Sequence, residues 1–356
     1  MSARAIVAGA LALAWAWAWP AAAQELPPGP RVTVTAVTQL TPTLPQYTRV
    51  EIPILREAVP RRSGGRVEFN LASHPEKNVN AAEVIRLVRS GQVDIGGAPL
   101  TTASGDVPLL DGFDLPGLNP TIEQARKVAD ALVPVANQQL ERLGVKIIAT
   151  FTYPAQVFYC RRPVASTADF KGLRIRSPGP SIGDFLTAYG AQAVSLTFGE
   201  VYTALERGTV DCAPTGTTTG STAKWWEVSS HLYTLPIAWG TSGYFVNLAW
   251  WNKLDPAVRA FIEKTMVEVQ EAQWKLGAEA TLDGIACNVG DAAGCRIGTL
   301  ATRKMTEAKP SDADLAGVRR VLRESVLPNW VKRCGAQCGE IYEKTVAPIT
   351  GVRIGG

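Results

Sequence analysis

Two periodicities take turns along this chain. RVTVTAV (31–37) places apolar residues at every second position, the signature of a strand. PQYTRVEIPILREAV (45–59) predicts a helix despite Pro53, and RVEFNLAS (66–73) a second strand. In NAAEVIRLVRSG (80–91), Val84, Ile85 and Val88 share a helical face and Gly91 ends it. VDIGGA (93–98) is a short strand. Asn119-Pro120 reads as a cap and first-turn proline, opening a long helix that ends before Gly144. VKIIATF (145–151) is the next strand. This βαβα rhythm implies a mixed or parallel sheet covered on both faces.

After residue 154 the rhythm restarts. VFYC and GLRIRSP are strands, SIGDFLTAYG a short helix, AVSL a strand, GEVYTALERG a helix and TVDCAP a strand. GYFVNLAWW (243–251) is a strand that need not belong to this second unit. Asp255-Pro256 then starts a strongly periodic helix, with Val258, Phe261, Ile262, Thr265, Met266 and Val269 on one face. Running to about residue 282, it would be roughly 40 Å long, enough to brace two domains. The expected fold is therefore α/β with two domains, a cleft between them and a long helix spanning both. Domain I takes 24–153 and 241–275; domain II takes 154–240 and 276–356. Clefts between such domains, beside strand carboxyl ends, bind small ligands.

The first 23 residues stand outside this pattern. Arg4 is a short basic region, Ala5 to Trp19 an apolar run, and Ala21-Ala22-Ala23 a small-residue cleavage site. That is a secretory leader, cut after Ala23. The rival reading, a membrane anchor, meets a run short for a spanning helix and followed by Pro20. The mature chain is expected in the periplasm, and its about 330 residues suit two cores better than one. Lysines and arginines number 36 against 32 acidic residues, a net charge of +4. The charges are scattered, so nucleic acid is not expected as a partner.

Six cysteines agree with an oxidising compartment. Cys287 and Cys295 bracket a small-residue loop, Cys334 and Cys338 bracket Gly-Ala-Gln, and Cys160 and Cys212 remain. Three disulfides are expected. No zinc-type C-x2-C spacing occurs, and His74 and His231 stand alone. Neither a metal nor a cofactor is expected, and both histidines read as structural or surface residues.

FKGLRIRSPGP (170–180) sets Arg174 and Arg176 in an apolar run. A buried guanidinium is costly unless an anion pairs with it. From the residues alone, that anion is either an internal carboxylate or a ligand. ADFKGLRIRSPG, FGEVYTALERGTVDCAPTG, AKWWEVSSHLY and NLAWWNKLDPAVRAFIEK follow one another over residues 166–265. In order and spacing they resemble the DctP-type solute-binding proteins of tripartite ATP-independent periplasmic (TRAP) transporters. RLVRSGQVDI (86–95) is similar to that family's helix–Gly–Val-Asp element.

The resemblance implies that Arg176 makes a bidentate salt bridge to a ligand carboxylate, for which a planar, permanently charged guanidinium is suited. Arg174 then falls at a variable, solvated or domain-supporting position. Gln156 stands where sialic acid binders carry a second arginine, so sialic acid is not expected. Thr215 replaces a frequent asparagine, and its hydroxyl with the amides of Thr215 and Gly216 could serve the carboxylate. Phe198 is a candidate wall, with core packing as the rival role. Trp239, just before the crossover at Gly240, is a further aromatic candidate, whereas Trp225 and Trp226 read as packing or surface residues. A Cys160–Cys212 bridge would stiffen the floor. Implied partners are a small organic acid and the membrane permease subunits, with the receptor a monomer hinged near 153–155 and 239–242. A sensory role would use the same site. A secreted hydrolase would need a nucleophile with a base beside it, and His74 and His231 each lack an evident partner motif.

Overall fold

Eleven strands in two sheets form the frame among residues 25–355, which the computed structural model describes. They are β1 (Val32–Thr38), β2 (Val67–Ser73), β3 (Ile95–Pro99), β4 (Val145–Phe151), β5 (Gln156–Cys160), β6 (Arg174–Ser177), β7 (Gln192–Ser195), β8 (Cys212–Gly216), β9 (His231–Ala238), β10 (Ser242–Asn247) and β11 (Thr306–Ala308). The leader reading falls on residues outside that range. No described helix is long and apolar enough to cross a membrane.

The first sheet has the order β2-β1-β3-β10-β4, and the second β11-β9-β5-β8-β6-β7. β1 runs parallel to β2 and β3, whereas β10 returns from the second lobe and inserts antiparallel between β3 and β4. All six residues of β10 are buried, as a strand covered on both faces requires. The second sheet is likewise mixed, with β5 antiparallel to β8 and β9 and β6 parallel to β7 and β8. The architecture is the expected one: two α/β lobes with a cleft between them.

The helix Pro256–Val289 spans 34 residues, roughly 51 Å. It outruns the expected end at 282 and stops at Gly290, whose φ of +74° suits a glycine terminator. Its middle is tied to the first lobe: Gln273 Nε2 donates to Gln46 O and Tyr244 Oη, both at 3.1 Å. Its second half is tied to the second lobe, where Asn288 Nδ2 donates to Tyr159 Oη at 2.8 Å and Thr217 O at 3.0 Å. The C-terminal helical segments after Ser311 pack on Ile122–Leu140 of the first lobe and Pro180–Ala188 of the second. One apolar cluster consequently runs through both lobes.

Three local expectations change. The long helix of the first lobe begins at Ile122, capped by Thr121, whose hydroxyl accepts from Gln124 N at 3.2 Å. Asn119 spends its amide on Phe113 O at 3.1 Å instead of capping. The 243–251 strand stops at Asn247, because its side chain accepts from Trp250 N and starts a helical turn, Leu248–Trp251. The segment Gln46–Ala58 is helical but widened, with i→i+5 bonding along a stretch that includes Pro53. All three expected disulfides form: Cys160–Cys212, Cys287–Cys295 and Cys334–Cys338. The first joins directly paired residues of β5 and β8.

Candidate functional site

Between the lobes lies a cleft of about 840 Å³, within the range of small-molecule sites. Arg176 enters it from β6. Its neighbour Arg174 points outward and pairs with Asp211 through Nη2–Oδ1 at 3.1 Å and Nε–Oδ2 at 3.2 Å. Arg176 is 6% exposed. Its Nε donates to Leu196 O and its Nη1 to Pro214 O, each at 3.1 Å. Those carbonyls, from the loop after β7 and from β8, fix the plane of the guanidinium. Nη2 has no partner among the described residues, and no carboxylate there forms an ion pair with Arg176. Burial pushes the guanidinium down to about 9, opposed only by the charge of Glu200. It is therefore protonated at neutral pH, buried and uncompensated, which is costly unless an anion arrives.

Gln156, Thr215, Gly216 and Phe198 line the same cleft. Gln156 and Gly216 are directly opposed on β5 and β8, at the other end of the ladder from the Cys160–Cys212 bridge that joins those strands. The Gln156 amide is buried, and its Oε1 has no partner among the described residues. Phe198 presents one face to the cleft and stacks the other on buried Trp225 at 5.3 Å between ring centroids. Phe198 thus lies both at the cleft and in a packed cluster. Trp225 and Trp226 are buried packing residues.

Trp239 is not brought to the cleft lining. Its indole N–H donates to Asn119 O at 2.9 Å, and its backbone N–H donates to Asp114 Oδ2 at 2.8 Å. It secures the crossover instead. Asp114 also accepts from Thr241 N at 3.1 Å, so one buried carboxylate holds both flanks of Gly240. His231 is half-buried with Nδ1 2.8 Å from Ser230 Oγ, whereas His74 lines the cleft.

Residues 37–307 match the family described as bacterial extracellular solute-binding protein, family 7, DctP. The chain belongs to that family. A 2,3-diketo-L-gulonate-binding periplasmic protein of Escherichia coli is 30% identical over 217 residues, 60% of this chain and 66% of its own length. A solute-binding protein of Albidiferax ferrireducens is 28% identical over 225 residues, 62% of this chain and 63% of its own length. The matches thus span just under two thirds of these relatives. Among solved structures, a TRAP solute-binding protein of Desulfovibrio salexigens with bound orotic acid superposes with a TM-score of 0.77 at 23% identity, covering 89% of this chain and 99% of that one. The galactonate complex of a sugar acid binding protein of Advenella mimigardefordensis gives 0.78 at 17%, covering 90% and 99%. At such identities the likeness is one of fold: two lobes and a cleft.

Several residues of this family 7 cleft carried no sequence signal. The first-lobe wall comes from loops: Leu40 after β1, His74 after β2, Thr101 after β3 and Tyr153 after β4. Their only common feature is position just past a strand's carboxyl end, which could have marked them. Trp330 and Arg333 arrive from a C-terminal helix, Leu327–Cys334. Trp330 donates its indole N–H to Pro108 O at 3.1 Å. Arg333 is neutralised by Asp184 at 2.5 Å and Asp111 at 3.5 Å.

Proposed function

We propose that this chain is the extracytoplasmic receptor of a TRAP transporter, which captures an organic acid through Arg176 and delivers it to membrane permease subunits. The observation that carries this is a buried, protonated Arg176, held by two carbonyls and lacking a carboxylate partner among the described residues. Family membership supports it. So does the chemistry of the related proteins, whose names or complexes give diketogulonate, orotic acid, pyroglutamic acid, L-gulonate and galactonate, all carboxylic acids. Gln156, Thr215, Gly216 and Phe198 are the proposed helpers: an amide, a hydroxyl, a backbone amide and an aromatic wall. Domain closure excludes water and strengthens the charge pair. The receptor works in the periplasm as a monomer, without turnover.

The test is mass spectrometry of acids carried through purification, then calorimetry with those acids and with the five named above. Arg176→Ala should weaken binding by about 2–5 kcal/mol, at least thirtyfold. Arg176→Lys should also be impaired, since the bidentate fork is lost. Unchanged affinity in Arg176→Ala would sink the proposal.

A further inference from the structure

The anion anchor leaves one cleft residue unexplained. His74 follows β2, is 3% exposed and lines the cleft from the first lobe, facing the lobe that carries Arg176. Its Nε2 lies 2.8 Å from Gly97 O. A carbonyl only accepts, so Nε2 carries the proton and Nδ1 keeps a lone pair. Among the described residues Nδ1 takes no hydrogen bond. Burial pushes the imidazole down to about 4, so the ring is neutral at physiological pH. It therefore presents an acceptor, not a cation.

The charges around it narrow the choice. Glu83, Asp111, Arg176 and Arg333 are the carboxylates and guanidiniums lining the cleft, beside the phenol of Tyr153. Arg333 is already paired with two aspartates. Asp111 is buried and accepts from the hydroxyls of Thr101 and Ser181. Among the described residues lining the cleft, Arg176 alone offers a positive charge with no carboxylate paired to it. At the His74 wall a second ligand carboxylate would face a lone pair, with no free cation among those residues to pair with it.

We propose that His74 sets specificity: the ligand is a monocarboxylate whose far end is uncharged and donates an N–H or O–H to His74 Nδ1. This rests on the receptor reading above and adds the ligand's second recognition point. Lactam acids and hydroxy acids meet the requirement. Dicarboxylates and purely aliphatic acids do not.

Calorimetry on the full chain tests it with matched probes: pyroglutamate against cyclopentanecarboxylate, galactonate against hexanoate, and succinate. At least one donor-bearing probe should bind about tenfold or more tighter than its donor-free partner, and succinate should be weaker than that probe. His74→Phe, checked for its melting transition, should erase the preference, and His74→Gln, which restores an acceptor and a donor, should recover it. Equal or tighter binding of both donor-free probes, a preference that survives in His74→Phe, or succinate as the tightest ligand would each overturn the inference and leave the carboxylate receptor standing. Binding by no carboxylate at all would remove the receptor reading and this inference with it.

Discussion

Glu51 and His74 bear opposite electrostatic loads, and both lie in the first lobe. Glu51 is wholly buried without a cation; Thr38, Gln39 and Tyr244 donate to it, the last at 2.6 Å. Desolvation outweighs those donors and pushes its carboxyl up to about 7 from an ordinary 4.5. Between these values the folded protein holds a proton that the unfolded chain has released, so stability falls as pH rises from 4.5 to 7. At about 1.4 kcal/mol per pH unit, the loss is on the order of 3 kcal/mol. His74 acts in reverse. Its folded value near 4 lies below the ordinary 6.5, so the unfolded chain takes up the extra proton, and stability falls as pH drops from 6.5 to 4. The two slopes oppose each other over most of that range and mask one another. Glu51→Gln should unmask the histidine. Urea melts of parent and variant, differenced from pH 4.5 to 7.5, should show the parent's advantage shrinking by about 3 kcal/mol as pH rises. A flat difference would mean that Glu51 does not titrate in this window.

The close approach of the long helix to the second lobe leaves no room for a side chain at Gly284. A Cβ there would press into the backbone of Thr217 and Thr218, which no rotamer change relieves. Alanine would add up to about 1 kcal/mol of helix propensity, but overpacking costs about 1–3 kcal/mol and more where backbone must move. Gly284→Ala should therefore lower stability by on the order of 1–2 kcal/mol in denaturant titration. A stabilised variant would show that the helix slides freely over that turn. This contact could not be anticipated, because the periodic apolar face of the helix was legible only over Val258–Val269, where it packs on the first lobe. Beyond it the helix meets a second partner and the single stripe ends. The same logic sorts the strands. β1, β2 and β4 declare themselves by alternation, whereas β9 is interrupted by Pro236 and β11 has three residues. Arg176 was legible through the family-like GLRIR strand. His74, Tyr153 and Trp330 were not, because they converge from loops and a C-terminal helix far apart in sequence.

Two crossovers, a long helix and a C-terminal clasp join the lobes, and the crossovers are tied to each other. Tyr153 N donates to Trp239 O at 3.0 Å, Thr152 Oγ1 donates to the same carbonyl at 2.8 Å, and Asp114 holds the amides of Trp239 and Thr241. Gly240, between those two held amides, has φ +62°, a conformation that costs other residues about 1–2 kcal/mol, and it is the expected point of bending. A Cβ on Gly240 would lie 2.7 Å from Gln156 Nε2 and 3.2 Å from Tyr153 Cδ2, two side chains that line the cleft from opposite lobes. Bending at Gly240 would therefore move residues of the site. Ligand binding should draw the lobes together, because a ligand held by Arg176 gains first-lobe contacts when the cleft closes. Small-angle scattering should show the radius of gyration falling on addition of a bound acid. At a free concentration one hundred times Kd, stability should rise by about 2.7 kcal/mol, a melting shift of several degrees. Gly240→Ala should displace Gln156, weaken the acid by about tenfold and reduce both responses. Full contraction and unchanged affinity in Gly240→Ala would place the hinge elsewhere, in the long helix or the C-terminal clasp.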